Sequence, residues 1–177
     1  MAGSESFGRL MQLGHVVPNL ADAIQYWLDR GVGPFYEMTH VRLAKQVYRG
    51  APTDIDMGVA LSYSGSLQIE LIVQHNDSPS LYKDFLGEHP EGGLHHLAFI
   101  TETMDEAIAH AGILGTPVVQ HWTDQFGGRY AYLEPQTSSE SYIELLEATP
   151  TLLGFFEQIE KASRFWDGAE PHRIVGQ

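Results

Sequence analysis

The feature that most constrains the fold is an internal echo. QIELI at residues 68–72 closes one stretch of the chain, and YIELL at 142–146 closes another. LGHVV at 13–17 opens the first stretch, and LHHLA at 94–98 opens the second. Each half therefore starts on a histidine strand and ends on an Ile-Glu-Leu strand. A unit used twice in one chain points to two copies that pack together around a shared core.

The residues between these markers give each unit the same order. In the first, LMQLGHVVP reads as a strand ended by Pro18. A helix follows, capped by Asn19, with Leu20, Ile24, Trp27 and Leu28 at helical spacing and Gly31 as its stop. FYEMTHVRLAKQVYRG is extended, and IDMGVALSYSG and SLQIELIVQ form two strands joined by a Ser-Gly turn. The second unit runs GLHHLAFIT as strand and ETMDEAIAHAGILG as helix, then TPVVQHW, GRYAYLEP and SYIELLEA as strands. Residues 75–92 are polar and rich in turn formers, with SPSLYKDFL as a short connecting helix. Residues 151–166 form an amphipathic helix with Leu152, Phe155, Phe156 and Ile159 on one face. The expected fold class is α+β, with module one at about 10–74 and module two at about 93–148 of a single domain spanning 1–177.

Strand parity selects the candidate chemistry. Successive side chains of a strand point to opposite faces. Glu70 lies between Ile69 and Leu71, and Glu144 between Ile143 and Leu145, so each carboxylate faces away from an apolar, helix-covered side. By the same rule His15 and His96 share the face of the glutamates. His96 then sits with Leu94, Ala98 and Ile100, while His95 sits with Leu97 and Phe99 and packs on a helix. A buried carboxylate without a partner is costly. Two glutamates beside two histidines are reconciled by a divalent cation: zinc, nickel, cobalt, manganese or ferrous iron. His40, His75, His89, His110, His121 and His172 stand in polar or mixed contexts and receive no role.

Composition removes several alternatives. The 10 basic and 23 acidic residues give a formal net charge of -13, which repels polyphosphate, so no nucleic-acid partner is expected. The chain has no cysteine, which excludes disulfides, thiolate metal sites and a cysteine nucleophile. No apolar run reaches the roughly 20 residues of a membrane span, and MAGSESFGRLMQLG lacks the pattern of a signal peptide. A cytoplasmic protein without membrane partners is the expectation. Trp122, Phe126, Tyr130 and Tyr132 are candidates for an apolar substrate wall, and Arg129 for holding a substrate carboxylate. Arg42, Lys45 and Arg49 form a small basic stretch that suits either an anionic tail or a solvated strand face.

LGHVV, QIELI, GLHHLAF, YAYLEP and YIELLE together resemble the vicinal oxygen chelate superfamily, the glyoxalase, bleomycin-resistance and extradiol dioxygenase group. Within it the chain looks most like the methylmalonyl-CoA epimerases and bacterial glyoxalase I. The resemblance implies two βαβββ modules forming a cupped mixed sheet around one divalent metal ion, and a homodimer. It implies His15, Glu70, His96 and Glu144 as metal ligands, with Glu144 and Glu70 as catalytic bases. The implied reaction is proton abstraction next to a carbonyl of a small molecule, thioesters included, through a metal-stabilised enediolate. Its outcome is epimerisation or a glyoxalase-type isomerisation (a lyase by class). The alternatives are an extradiol-type dioxygenase and a non-catalytic binding protein of the same fold. Methylmalonyl-CoA epimerases usually carry Gln where this chain has Glu70.

Overall fold

Apolar periods of two and of about 3.6 alternate along this chain, and the elements follow them. The structure is a computed structural model that describes residues 7–137 and 139–175. The first half contains β1 (Arg9–Val16), α1 (Leu20–Leu28), β2 (Phe35–Met38), β3 (Leu43–Tyr48), β4 (Ala51–Pro52), β5 (Met57–Ser64) and β6 (Leu67–Gln74). A linking helix, α2 (Leu81–Glu88), leads to the second half. That half contains β7 (Gly93–Thr101), α3 (Met104–Leu114), β8 (Val118–Asp124), β9 (Arg129–Leu133), β10 (Tyr142–Glu147), α4 (Pro150–Arg164) and β11 (His172–Ile174). The Asn19 side chain caps α1 by accepting from the N–H groups of Ala21 and Asp22, and Ser80 caps α2 through Lys83.

All the strands join one mixed sheet in the order β11-β2-β5-β6-β1-β7-β10-β9-β8-β3-β4. The antiparallel pair β1 and β7 lies at its centre, flanked by β6 parallel to β1 and β10 parallel to β7. The series β2-β5-β6-β1 is thus repeated as β8-β9-β10-β7, which is the expected pair of βαβββ modules. One segment departs from that plan. The extended run after α1 breaks into β2, on its own module's edge, and β3, which pairs with β8 of the other module. Only residues 39–42 connect them. Five residue steps span at most about 17 Å, so the two outer parts of the sheet must curl toward each other. That curl makes the cup, and the 39–42 loop crosses its mouth.

Helices α1 and α3 cover the convex face. Ile24 and Leu20 of α1 pack with Phe35, Ile69 and Leu71, and Met104 and Ala107 of α3 pack with Ala131 and Leu145. Helices α2 and α4 pack on the concave side, where Leu81, Tyr82, Phe156 and Ile159 join Val59, Leu61, Ile72 and Leu146.

The register defines which residues the two modules have in common. Across β1 and β7, Gln12 pairs with Ala98 and Gly14 pairs with His96. Beside them, Gly14 neighbours Glu70 and Ala98 neighbours Glu144. Gln12 is therefore the counterpart of His96, and Gly14 of Ala98. LMQLGHV at 10–16 matches LHHLAFI at 94–100, so the counterpart of His15 is Phe99. The central ladder slips once at Met11 and once at His95, again equivalent positions.

Candidate metal centre

Glu70 from β6, His96 from β7 and Glu144 from β10 meet on the concave face, with one ligand atom of each within 4.8 Å of the others. His96 Nε2 lies 3.1 Å from Glu70 Oε2 and 3.1 Å from Glu144 Oε2. His96 and Glu144 are buried. Burial alone would lower the His96 pKa, but the charge of Glu144 and contacts with both carboxylates raise it to about 9. Burial pushes the Glu70 carboxyl above its ordinary range, against the pull of the His96 hydrogen bond. Gly14 makes room for this arrangement. A Cβ at that position would lie 1.8 Å from His96 Cε1 and 1.9 Å from Nε2, so the imidazole rests on bare backbone.

His15 is not part of this group. It neighbours Leu71, on the face that carries α1, and its ring centroid lies 5.6 Å from that of Trp27. The match of LGHVV to LHHLA is three residues out of register, and an odd shift turns a strand residue to the opposite face. Gln12 stands at the vacated position. Its Nε2 donates to Gln68 Oε1 at 2.7 Å, its side chain also contacts Glu70, and its Oε1 is buried without a hydrogen-bond partner. The signal for Gln12 was in the chain: it stands seven residues before the α1 cap Asn19, as His96 stands seven before the α3 cap Thr103.

His95 departs from parity as well. It is the extra residue of the β7 bulge, and a bulge re-aims its side chain. It packs on a helix as expected, but the helix is α2. Its ring stacks on Tyr142 with centroids 5.0 Å apart and lies among Tyr82, Phe85 and Tyr132. His95 Nδ1 is 3.0 Å from His96 Nδ1. Burial and the His96 charge hold His95 well below the usual histidine range, so the neutral His95 accepts the Nδ1 proton of His96. That leaves His96 Nε2 directed at the carboxylates.

Above the carboxylates lies a cavity of about 640 Å³. Glu70 and Glu144 line it, with Trp122, Phe126, Tyr130 and Tyr132 along one wall. Met57, Val59 and Leu61 of β5 and Leu152, Phe155 and Phe156 of α4 provide much of the rest. Tyr82 of the linker helix also reaches it, and its hydroxyl is 2.9 Å from that of Tyr132. No sequence pattern marked Tyr82, because its partner is 50 residues away. Arg129 points elsewhere. On β9 it pairs with Thr123 while Tyr130 pairs with Trp122, so the two neighbours face opposite sides. Its guanidinium is held by Glu147, at 2.7 Å from Oε1, and by Asp105 of α3. Among the basic stretch, Arg42 lines the cavity and Arg49 is paired with Glu134 at 2.8 Å.

The donor set suits a divalent cation. Two carboxylates balance a 2+ charge, and the imidazole adds a neutral donor. Among the described residues Gln12 Oε1 is buried with no hydrogen-bond partner, and Glu144 Oε2 makes no hydrogen bond beyond its 3.1 Å ion-pair contact with His96 Nε2. Buried acceptors in that state are costly in isolation and are satisfied by a cation.

Comparison with known proteins gives a consistent family. Residues 11–132 match the model of the Glyoxalase/Bleomycin resistance protein/Dioxygenase superfamily. No curated protein sequence matches the chain. Among solved structures, methylmalonyl-CoA epimerase from Mycobacterium tuberculosis superposes with a TM-score of 0.59 at 20% identity, over 87% of this chain and 97% of that one. Hypothetical protein BH1468 from Bacillus halodurans C-125 gives 0.57 at 18% identity, over 80% and 94%. A Streptomyces coelicolor methylmalonyl-CoA epimerase variant in complex with 2-nitronate-propionyl-CoA gives 0.53 at 18%, over 81% and 96%. At these identities the likeness establishes the shared fold.

Proposed function

Because the chain belongs to the Glyoxalase/Bleomycin resistance protein/Dioxygenase superfamily, we propose that it is a divalent-metal-dependent epimerase or isomerase that abstracts a proton next to a carbonyl. The observation that carries this reading is the pair of buried carboxylates, Glu70 and Glu144, flanking His96 on the floor of a largely apolar cavity. Glu70, His96 and Glu144 would hold the ion, with the Gln12 amide oxygen as a fourth donor. When bound, the ion supplies Lewis acidity that stabilises the negative charge of an enediolate.

The chain's own groups do the rest. Of the carboxylates that line the cavity, Glu70 and Glu144 flank His96 while Asp124 accepts from the Tyr130 hydroxyl, so one of the two glutamates takes the proton and the same or the other returns it. The Tyr82 and Tyr132 hydroxyls share one hydrogen bond and leave one O–H proton to donate to a substrate oxygen. The apolar walls exclude water and select a substrate with an apolar body. Among the described residues Arg42 is the one lysine or arginine on the lining, so a coenzyme A thioester would keep its phosphates outside the cavity. Extradiol chemistry on a two-histidine, one-carboxylate site is disfavoured here by the second carboxylate and the single histidine.

The test is proton exchange in heavy water with metal-loaded protein. The substrates are 2-methylmalonyl-CoA, the hemithioacetal of methylglyoxal and glutathione, and a panel of apolar carbonyl compounds. Exchange of the proton next to the carbonyl, lost in Glu70→Gln or Glu144→Gln, is the expected result. Oxygen uptake with catechols, or no exchange with any substrate, would overturn the proposal.

A further inference from the structure

We propose that His40, Asp56 and His75 form a second divalent-cation site, separate from the central one and placed at the mouth of the cavity. Three adjacent strand ends bring these residues together. Met57 at the start of β5 pairs with Gln74 at the end of β6, so Asp56 and His75 are the next residues outward, and the His75 N–H donates to the Asp56 carbonyl at 2.8 Å. His40 follows β2, the other neighbour of β5. The Val41 N–H ties its loop to the Met57 carbonyl at 2.9 Å. One ligand atom from each of the three side chains lies within 4.8 Å of the others, and no residue is shared with the central cluster.

The surroundings orient these groups as ligands. His75 Nε2 is 2.9 Å from the Thr39 carbonyl oxygen, which accepts but cannot donate. Nε2 therefore carries the proton, and neutral His75 has a bare lone pair on Nδ1. A backbone carbonyl holding one imidazole nitrogen while the other is free is the usual way a histidine ligand is oriented. Gly58 allows this placement. A Cβ there would lie 3.0 Å from both His75 Nε2 and the Thr39 oxygen. His40 Nδ1 is 2.7 Å from Asp56 Oδ1, and the two imidazole centroids are 4.9 Å apart.

Two imidazoles and one carboxylate suit a borderline divalent ion, zinc first. Three protein donors leave a coordination position open to a further ligand. His40 also lines the cavity whose floor carries Glu70 and Glu144. An ion at the rim would thus offer its open position to an oxygen of a molecule entering the cavity.

Zinc alone, titrated calorimetrically into metal-stripped full-length protein, tests the site. Wild type is expected to bind two zinc ions per chain. His40→Ala and His75→Ala should each remove one event, or weaken it at least tenfold, and leave the other intact. Glu144→Gln should weaken the complementary event and spare the rim site. If either histidine variant binds zinc with unchanged number and affinity, the inference is wrong, and His40–Asp56 is an ordinary ion pair. A single wild-type event abolished by Glu144→Gln also overturns it. His40 is exposed, so His40→Ala decides the matter even if His75→Ala fails to fold.

Discussion

Gly14 and Gln12 show how much of this centre depends on single residues that carry no charge. The His96 ring occupies the space a side chain at position 14 would need. Gly14→Ala must move the imidazole or the strand, and overpacking of this kind costs about 1–3 kcal/mol. We expect that loss in urea unfolding, together with a loss of zinc binding at the centre by at least tenfold. Gln12 offers a neutral amide oxygen where its module counterpart offers an imidazole. Gln12→His should create the two-histidine, two-glutamate set and tighten zinc at the central site at least tenfold, measured by competition with a chromogenic chelator. An unchanged or weaker affinity would mean that position 12 does not reach the ion.

At the scale of elements, β9 and the β7 bulge decide which side chains see the cavity. Alternation on β9 gives Tyr130 and Tyr132 to the cavity and Arg129 to the convex side, where it clasps Glu147 and Asp105. Arg129→Met should therefore leave ligand affinity intact. It should cost about 1 kcal/mol or less at neutral pH, the scale of a partly exposed ion pair. The pH dependence has a definite sign. The Arg129 hydrogen bond holds the Glu147 carboxyl below its ordinary range. Its contribution is complete above about pH 4.5, the ordinary glutamate value, and is lost as the pH falls through the lowered one. Thermal melts of wild type and Arg129→Met should converge between about pH 5 and pH 3. A gap that widens on acidification would contradict this.

The whole molecule is a cup whose contents come from both modules and from α4. Its central cluster is assembled from β6, β7 and β10, so the donors are brought together only when the two modules pack. An ion that binds the folded chain alone must then stabilise the entire fold. Zinc at about one hundred times its dissociation constant should add about 2.7 kcal/mol, or about 5–10 °C in melting temperature for a domain of this size. A melting temperature indifferent to zinc in wild type would count against both the central and the rim sites. Loss of the shift in Glu144→Gln alone would assign it to the centre.

The sequence by itself determined the elements and the two-module plan. Strand alternation, the cap at Asn19 and the amphipathic run of α4 are local properties that each segment carries alone. Glu70, His96 and Glu144 were legible for the same reason, since each shares a face of its strand that the parity rule identifies. The tertiary structure decided what depends on how distant strands meet. The β1–β7 register put Gln12 beside the cluster and turned His15 to Trp27. A bulge set His95 behind His96, and β3 crossed to the far edge of the sheet to close the cup. The rim cluster of His40, Asp56 and His75 is equally a product of pairing, because its members are neighbours only where β2, β5 and β6 end together. Register, bulges and edge pairing are set by contacts between segments far apart in the chain, so no stretch of sequence read alone contains them.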